Sequence, residues 1–197
     1  MKKLSSFLLV LLLSLSAGLQ AQTRYVAEDN QDANLGADNR FSIMLSDVLV
    51  RRLSLEYEHI LDGGKMSLNI PFSVTVSPFE DPWSSEVHWW AGMGIKFYPT
   101  GQGVLRYFLG AEFRVISVTE NYSNWYYDVN YDGHETITSN DYVNTAFLIN
   151  NGLIYSPTND FFVSLNMGVG FLSRNPDSQL DNLVPFATPS FRIGFKF

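Results

Sequence analysis

The sequence predicts an all-β chain folded as an eight-stranded antiparallel up-and-down transmembrane β-barrel, and three observations carry that prediction. From Arg40 to the end, apolar residues recur with a period close to two, as in strands whose successive side chains face opposite ways. No segment of helical length keeps an i, i+3, i+4, i+7 apolar stripe. The connections alternate between short turns and longer polar stretches, as they do in transmembrane barrels with an even strand number.

The chain of 197 residues suits one domain behind an export signal. Lys2 and Lys3 form a positive start, residues 7–13 are continuously apolar, and residues 14–21 are small and mild. That layout is a secretory signal peptide over residues 1–21. Cleavage after Ala21 leaves Gln22 first; cleavage after Gly18 is the alternative, because Leu19 is large for its place before the cut. An uncleaved anchor would need an apolar run of about 20 residues. Residues 22–39 are polar and read as a flexible periplasmic lead, and residues 40–197 as the barrel. The chain carries 13 Lys+Arg and 20 Asp+Glu, a formal charge of −7. Removing residues 1–21 leaves 11 basic against 20 acidic residues, a net charge of −9 that speaks against a nucleic-acid partner. Cysteine is absent, which excludes disulfides, thiolate metal sites and a cysteine nucleophile.

Each strand follows from its alternation. The first spans residues 40–47, with Phe41, Ile43 and Leu45 on one face, and Arg51 and Arg52 mark a short connection. In the second, Leu53, Leu55 and Tyr57 oppose Ser54, Glu56 and Glu58. Asp62-Gly63-Gly64 is a tight-turn signal. The third alternates Met66, Leu68, Ile70, Phe72, Val74 and Val76 with polar residues and Pro71, which lacks a ladder donor and is expected at a bulge. Residues 79–87 form a polar connection. The fourth strand turns Trp89, Ala91, Met93, Ile95 and Phe97 outward and Gly92, Gly94 and Lys96 inward. After a short turn at 99–103, the fifth sets Leu105, Tyr107, Leu109, Ala111, Phe113 and Val115 against Arg106, Gly110, Glu112 and Arg114.

Residues 119–141 read as a long polar loop. The sixth strand carries Phe147, Ile149, Leu153 and Tyr155 outward, and 156–160 is a third short turn. The seventh sets Phe161, Val163, Leu165, Met167, Val169 and Phe171 against Ser164, Asn166, Gly168 and Gly170; 175–185 is a loop. The last strand alternates Phe191, Ile193, Phe195 and Phe197 with Arg192, Gly194 and Lys196, and the chain stops on an aromatic.

If Phe197 lies at the periplasmic side, the three short turns fall on that side and the longer loops fall outside. Phe97, Tyr107, Tyr155, Phe161 and Phe197 then gather near the periplasmic edge, with Trp89 and Phe171 near the external one, as in an aromatic girdle. Alternation alone also fits a soluble barrel with its apolar face inside. Bulky groups on one face and glycine and serine on the other favour the membrane barrel, whose lumen is the narrower space.

The inner face carries Glu56, Glu58, Lys96, Arg106, Glu112, Arg114, Arg192 and Lys196, mixed charges that neutralise one another in a lumen wide enough only for side chains. The expectation is a plugged lumen; the alternative is a narrow solute path. In the long loop, Asp128, Asn130, Asp132 and Gly133 match the first half of a calcium loop, but Ser139 stands where the bidentate glutamate belongs. No metal or cofactor is therefore expected, with Asp128, Asn130 and Asp132 as a weak calcium candidate against a solvated turn.

The same loop holds Tyr122, Trp125, Tyr126, Tyr127 and Tyr131, and the neighbouring one Trp83, residue types common on contact surfaces. The alternative is a loop that packs its own aromatics over the barrel mouth. Asn121-Tyr122-Ser123 matches a glycosylation triplet that a bacterial chain would not use. His88 and His134 have Ser84, Ser85 and Ser139 within imaginable reach, as in small lipid A-modifying enzymes, yet no spacing supports such a pairing, so no enzyme is expected.

Residues 41–46 (FSIMLS), 53–59 (LSLEYEH), the short turn and 149–155 (INNGLIY) resemble small outer-membrane barrels of Bacteroidota-type bacteria, which have no assigned activity. The wider resemblance, over residues 40–197, is to the eight-stranded outer membrane proteins A, X and W. The aromatic-ended last strand is similar to the terminal signature by which such barrels are inserted, which implies that role for Phe191, Ile193, Phe195 and Phe197. The resemblance implies outer-membrane lipid and lipopolysaccharide around the barrel and the barrel-assembly machinery as a transient partner. The expected product is a monomer in the outer membrane of a Gram-negative bacterium. It would act as a structural or adhesion-like protein with an unknown extracellular ligand. The alternative implied by protein W is a channel or carrier for small apolar solutes.

Overall fold

The computed structural model describes residues 39–77, 85–99, 101–127, 133–175 and 182–197, without the side chains of 62, 123–127 and 133–136. The signal peptide and residues 22–38 of the lead lie outside the described residues. Eight strands follow in order: β1 (Asn39–Met44), β2 (Arg52–Leu61), β3 (Met66–Thr75), β4 (Glu86–Phe97), β5 (Leu105–Tyr127), β6 (Gly133–Tyr155), β7 (Phe161–Ser173) and β8 (Leu183–Lys196). Each pairs antiparallel with the next, and β8 pairs with β1, so the sheet is a closed barrel. Closure satisfies the strand edges within the barrel internally, the condition for a sheet to stand in lipid. At the closing seam Asn39 N donates to Phe197 O at 3.2 Å and Phe197 N to Asn39 O at 3.0 Å. Both ends of the barrel chain therefore lie at one end, called lower here.

The alternation read from the sequence sets the faces. Phe41, Leu53, Phe72, Met93, Phe113, Phe147, Leu165, Phe171 and Phe195 are exposed on the outside. Arg40, Glu56, Glu58, Lys96, Arg106, Glu112, Arg114 and Arg192 are buried inside. Leu165 and Met93 each keep 61% of their surface bare, whereas Glu112 keeps 1%. A soluble barrel places these two classes the other way round, because apolar area gains by leaving water and an ion loses by it. The soluble alternative does not fit this structure.

Several boundaries differ from the sequence reading. The first strand ends at Met44 rather than 47, because a one-turn helix, α1 (Leu45–Val48), makes the first upper corner. Asp47 fastens that corner: it accepts from Ser54 Oγ at 2.5 Å and its carbonyl accepts from Val50 N at 3.0 Å. Arg51 closes it with φ 58°, an uncommon left-handed conformation for a residue with a side chain. Asp62–Gly64 forms a 3-10 turn at the lower end in which Gly63 and Gly64 take φ 64° and 75°, values that suit glycine. Pro71 is not at a bulge: it pairs in register with Glu56 of β2, and only the β4 side of its ladder is interrupted. The register shift lies instead in β4, between Val87 and Trp89 against β5; beyond it Trp90 shares the inward parity of Lys96.

β8 starts at Leu183, so Pro185 and Pro189 belong to the strand and not to the preceding loop. Tyr107 was expected in the lower girdle. It keeps its ladder place opposite Leu153 but is only 4% exposed. It lies below the last β4–β5 pair, Phe97 with Leu109.

The largest difference concerns residues 119–141, expected as a loop. β5 and β6 are each 23 residues long and stay paired in register up to Tyr127 and Gly133. β4 leaves β5 at Thr119 and β7 leaves β6 at Thr145. The pairs from Glu120–Asn140 to Tyr127–Gly133 thus form a two-stranded ribbon above its neighbours. At about 3.4 Å per residue, eight pairs project about 27 Å.

Candidate functional site: the lumen and the outer ribbon

The inner face of β2 places Glu56 and Glu58 two residues apart, and the strands opposite bring cations to both. Lys96 Nζ lies 2.6 Å from Glu56 Oε1 and 2.8 Å from Glu58 Oε2, bridging the two carboxylates. Arg192 Nη1 donates to both oxygens of Glu56 at 2.7 Å, and Asn69 Nδ2 adds a bond of 3.2 Å. Glu58 also accepts from Arg40 Nη1 at 3.3 Å and from the Tyr98 hydroxyl. Glu112 and Arg114 make a separate pair at 2.5 Å, with Asn150 Nδ2 on the other Glu112 oxygen at 2.8 Å. Arg106 meets no carboxylate among the described residues: it donates to Gln102 Oε1 at 2.5 Å and to the Ser156 hydroxyl. The structure thus brings Glu56, Glu58, Lys96 and Arg192 together, puts Glu112 with Arg114, and leaves Arg106 apart.

Arg40 joins this set although the sequence reading assigned it no lumen role. Its parity was the available signal, since it stands two residues before Ser42 on the inward side of β1.

The inner face is also more apolar than expected. Tyr98, Phe108, Ile154 and Phe162 form a buried cluster in the lower lumen, with Ile60 against it. Tyr98 and Phe108 meet at 6.1 Å between ring centroids. The cations lie over these rings: Arg40 is 5.5 Å from the Tyr98 centroid and Lys96 is 5.3 Å from that of Phe108. Glycines on neighbouring strands make room for the rings. A Cβ on Gly152 would collide with the Phe108 ring, and one on Gly194 would stand 2.5 Å from Phe162 Cζ. Small residues inside are therefore complements of large ones across the ladder.

A second cluster, Met44, Trp90, Ile116 and Ala146, lies higher, with Val87, Leu172 and Phe186 packed on it. Arg114 stacks on Trp90 at 4.0 Å from the ring centroid. Above this layer the barrel holds a cavity of about 580 Å³, lined by Val50, Trp90, Val118, Leu172 and Phe186, with Arg52, Glu120 and Arg174 among its polar groups. A volume of this size matches pockets for small molecules.

The stem of the ribbon is tied by side chains. Thr119 Oγ1 donates to Asp141 at 2.5 Å and meets His88 Nε2 at 2.5 Å. Tyr122 donates to Glu120 at 2.5 Å, and Ser139 to Asn121 at 2.7 Å. The imagined pairing of His88 with Ser85 or Ser139 is not formed among the described residues: His88 meets Thr119, and Ser139 bonds Asn121. Trp125, Tyr126 and Tyr127 occupy the last positions of β5, with their side chains outside the described residues. Trp83, Asp128, Asn130, Tyr131 and Asp132 also lie outside the described residues. Among the described residues no group of His, Asp and Glu is arranged to hold a metal ion.

Phe191, Ile193 and Phe195 stand outward along β8 in register with β7. Phe195 meets Phe161 at 5.8 Å between ring centroids, and Phe197 ends the chain with 64% of its surface bare.

No protein-family model matches the chain, and no curated protein sequence matches it. Among solved structures, the N-terminal β-barrel domain of OprF from Pseudomonas aeruginosa aligns with 14% identity and a TM-score of 0.47, covering 81% of this chain and 96% of that one. Ail, the attachment invasion locus protein of Yersinia pestis, aligns with 14% identity and a TM-score of 0.42, covering 82% of this chain and 99% of that one.

Proposed function

We propose that this chain is a monomeric barrel of a Gram-negative outer membrane, of the small Bacteroidota type, which presents the β5–β6 ribbon as an adhesion-like contact surface. The observation that carries the reading is the ribbon itself, held in register beyond both neighbouring strands on top of a barrel with a bare apolar exterior. A hairpin of that length without a neighbour is marginal in water, so its tied stem is consistent with a maintained projection. The apolar exterior suits lipid and lipopolysaccharide, and the signal peptide over residues 1–21 supplies export. In this reading the lower lumen is closed by the Glu56–Glu58–Lys96–Arg192 layer and the aromatic cluster beneath it, so the chain conducts no ions. It carries no catalytic step, and its expression leaves the mass of lipid A unchanged.

The test uses the mature chain in lipid vesicles beside a variant in which residues 123–137 are replaced by Asn-Gly, a two-residue hairpin turn between Tyr122 and Thr138. Both proteins should migrate faster unheated than heated on a gel, and neither should give conductance steps in planar bilayers. Vesicles with the full chain should be retained on arrays of matrix proteins and glycans, and those with the trimmed chain should be released. Equal retention of the two would remove the contact role from the ribbon, and regular conductance steps would remove the closed lumen.

The cavity of about 580 Å³ favours a second reading, a binding place for small apolar solutes entering from the upper end. It predicts saturable quenching of tryptophan fluorescence by an apolar probe, lost when Trp90 is replaced by Phe.

The aromatic end of β8 is assigned the insertion signal. Deleting Phe197 removes the terminal ring and both main-chain bonds to Asn39. Export should continue while the amount assembled in the outer membrane drops several-fold. Unchanged membrane levels of the deletion would refute the assignment.

A further inference from the structure

The charges of the lower lumen do not balance. Arg40, Lys96, Arg106, Arg192 and Lys196 are five buried cations, and the carboxylates among them are Glu56 and Glu58. Both carboxylates are taken up by Lys96, Arg192 and Arg40. Arg106, 2% exposed, has no carboxylate partner among the described residues. Its Nη1 and Arg40 Nη2 both point at one neutral oxygen, Oε1 of Gln102. The buried Nε atoms of Arg40 and Arg106 have no hydrogen-bond partner among the described residues. Lys196 lies within electrostatic range of both arginines, and the acid it faces is the exposed Asp160 of the lower turn. Unpaired buried cations cost far more than paired ones, so a compensating anion at this place stabilises the barrel.

We propose that the lower mouth of the barrel is a binding site for a small oxyanion of the phosphate class, held between Arg40, Arg106 and Lys196. The neutral oxygen of Gln102 marks where an anion oxygen sits, since two guanidinium groups already converge there. Gln102 is half-buried on the short connection after β4, and its Nε2 is anchored to Gly64 O at 2.5 Å, so it stands at the boundary between lumen and lower solvent. An oxyanion arriving from that side replaces the amide oxygen and takes paired N–H bonds from the guanidinium groups, the recognition for which arginine is suited. Three cations exceed the local carboxylates, so a dianion compensates better than a monovalent carboxylate. Phosphate should therefore bind more tightly than acetate.

The mature full-length chain, folded in lipid vesicles, is titrated with inorganic phosphate at constant ionic strength with sodium chloride as balance, and its thermal midpoint is read from the heat-dependent gel shift. The midpoint should rise and saturate with phosphate, and acetate should need at least tenfold higher concentration for the same rise. In Arg106→Gln the midpoint without phosphate should equal or exceed that of the parent, because an unpaired cation is gone, and the phosphate-dependent rise should vanish. A purely structural arginine gives the opposite pair of results, a lowered midpoint and an unchanged response to phosphate. If Arg106→Gln fails to fold, Lys196→Gln takes its place and should raise the half-saturating phosphate concentration at least tenfold. A linear response shared by parent and variant is a general salt effect and overturns the proposal.

Discussion

Replacing Lys96 by methionine should destabilise the folded barrel by about 3–5 kcal/mol, the cost of breaking a buried ion pair from one side. Among the described residues Lys96 is the one cation that touches both Glu56 and Glu58, at 2.6 and 2.8 Å. Without it, Glu56 keeps Arg192 at 2.7 Å, but Glu58 is left with Arg40 at 3.3 Å and the Tyr98 hydroxyl. Two carboxylates on the same face of β2 then repel each other where little water screens them. Methionine keeps an unbranched apolar side chain of similar length and removes the charge with its contact to the Phe108 ring, so the loss is electrostatic and not a cavity effect. The urea midpoint of refolding in vesicles reads the change. Adding Glu58→Gln to the same chain should recover a large part of the loss, because the surviving carboxylate is then the one held bidentately by Arg192. A single variant within 1 kcal/mol of the parent would show that the bridge is incidental.

That arrangement marks the limit of what the linear sequence discloses. Parity along each strand was legible, and it set Glu56, Glu58, Lys96 and Arg192 on the inner face, because a period of two needs only local alternation. Which cation meets which carboxylate depends on register and barrel tilt, which bring Lys96 to residues 38 and 40 positions away. The inward rings of Phe108 and Phe162 followed the same parity. The signal that makes them intelligible, a glycine across the ladder at Gly152 and Gly194, exists only once strands are paired. Residues 120–127 and 133–140 hid their strands for a different reason. Beyond the apolar belt the sequence is largely polar at both parities, so hydrophobic alternation disappears while β-favouring Thr, Ile and Tyr remain at Thr136, Ile137, Thr138, Tyr126 and Tyr127. A pattern tied to an apolar outer face is silent about strands that project beyond it.

Placing arginine at Leu165 should cost about 2–4 kcal/mol, the penalty of a cation on the lipid face near mid-bilayer. Leu165 sits in the middle of the β7 outward series, level with Leu153 on β6 and Phe191 on β8, so three strands of apolar surface surround the new charge. A long side chain reaches toward the interface from the ends of that series more easily than from its centre. Arginine at Phe161 or Phe171, the first and last outward residues of β7, should therefore cost less than at Leu165. The neighbouring position supplies the contrast. Asn166 points into the lumen, 8% exposed, with its Oδ1 unpartnered among the described residues, so Asn166→Ser removes little that is satisfied. Urea midpoints in vesicles should fall steeply for Leu165→Arg and stay close to the parent for Asn166→Ser. If the depth dependence were absent while the Leu165 variant still lost stability, the charge would be disturbing packing and not meeting lipid. The gradient along β7, more than any single value, measures whether the bare outer face is immersed.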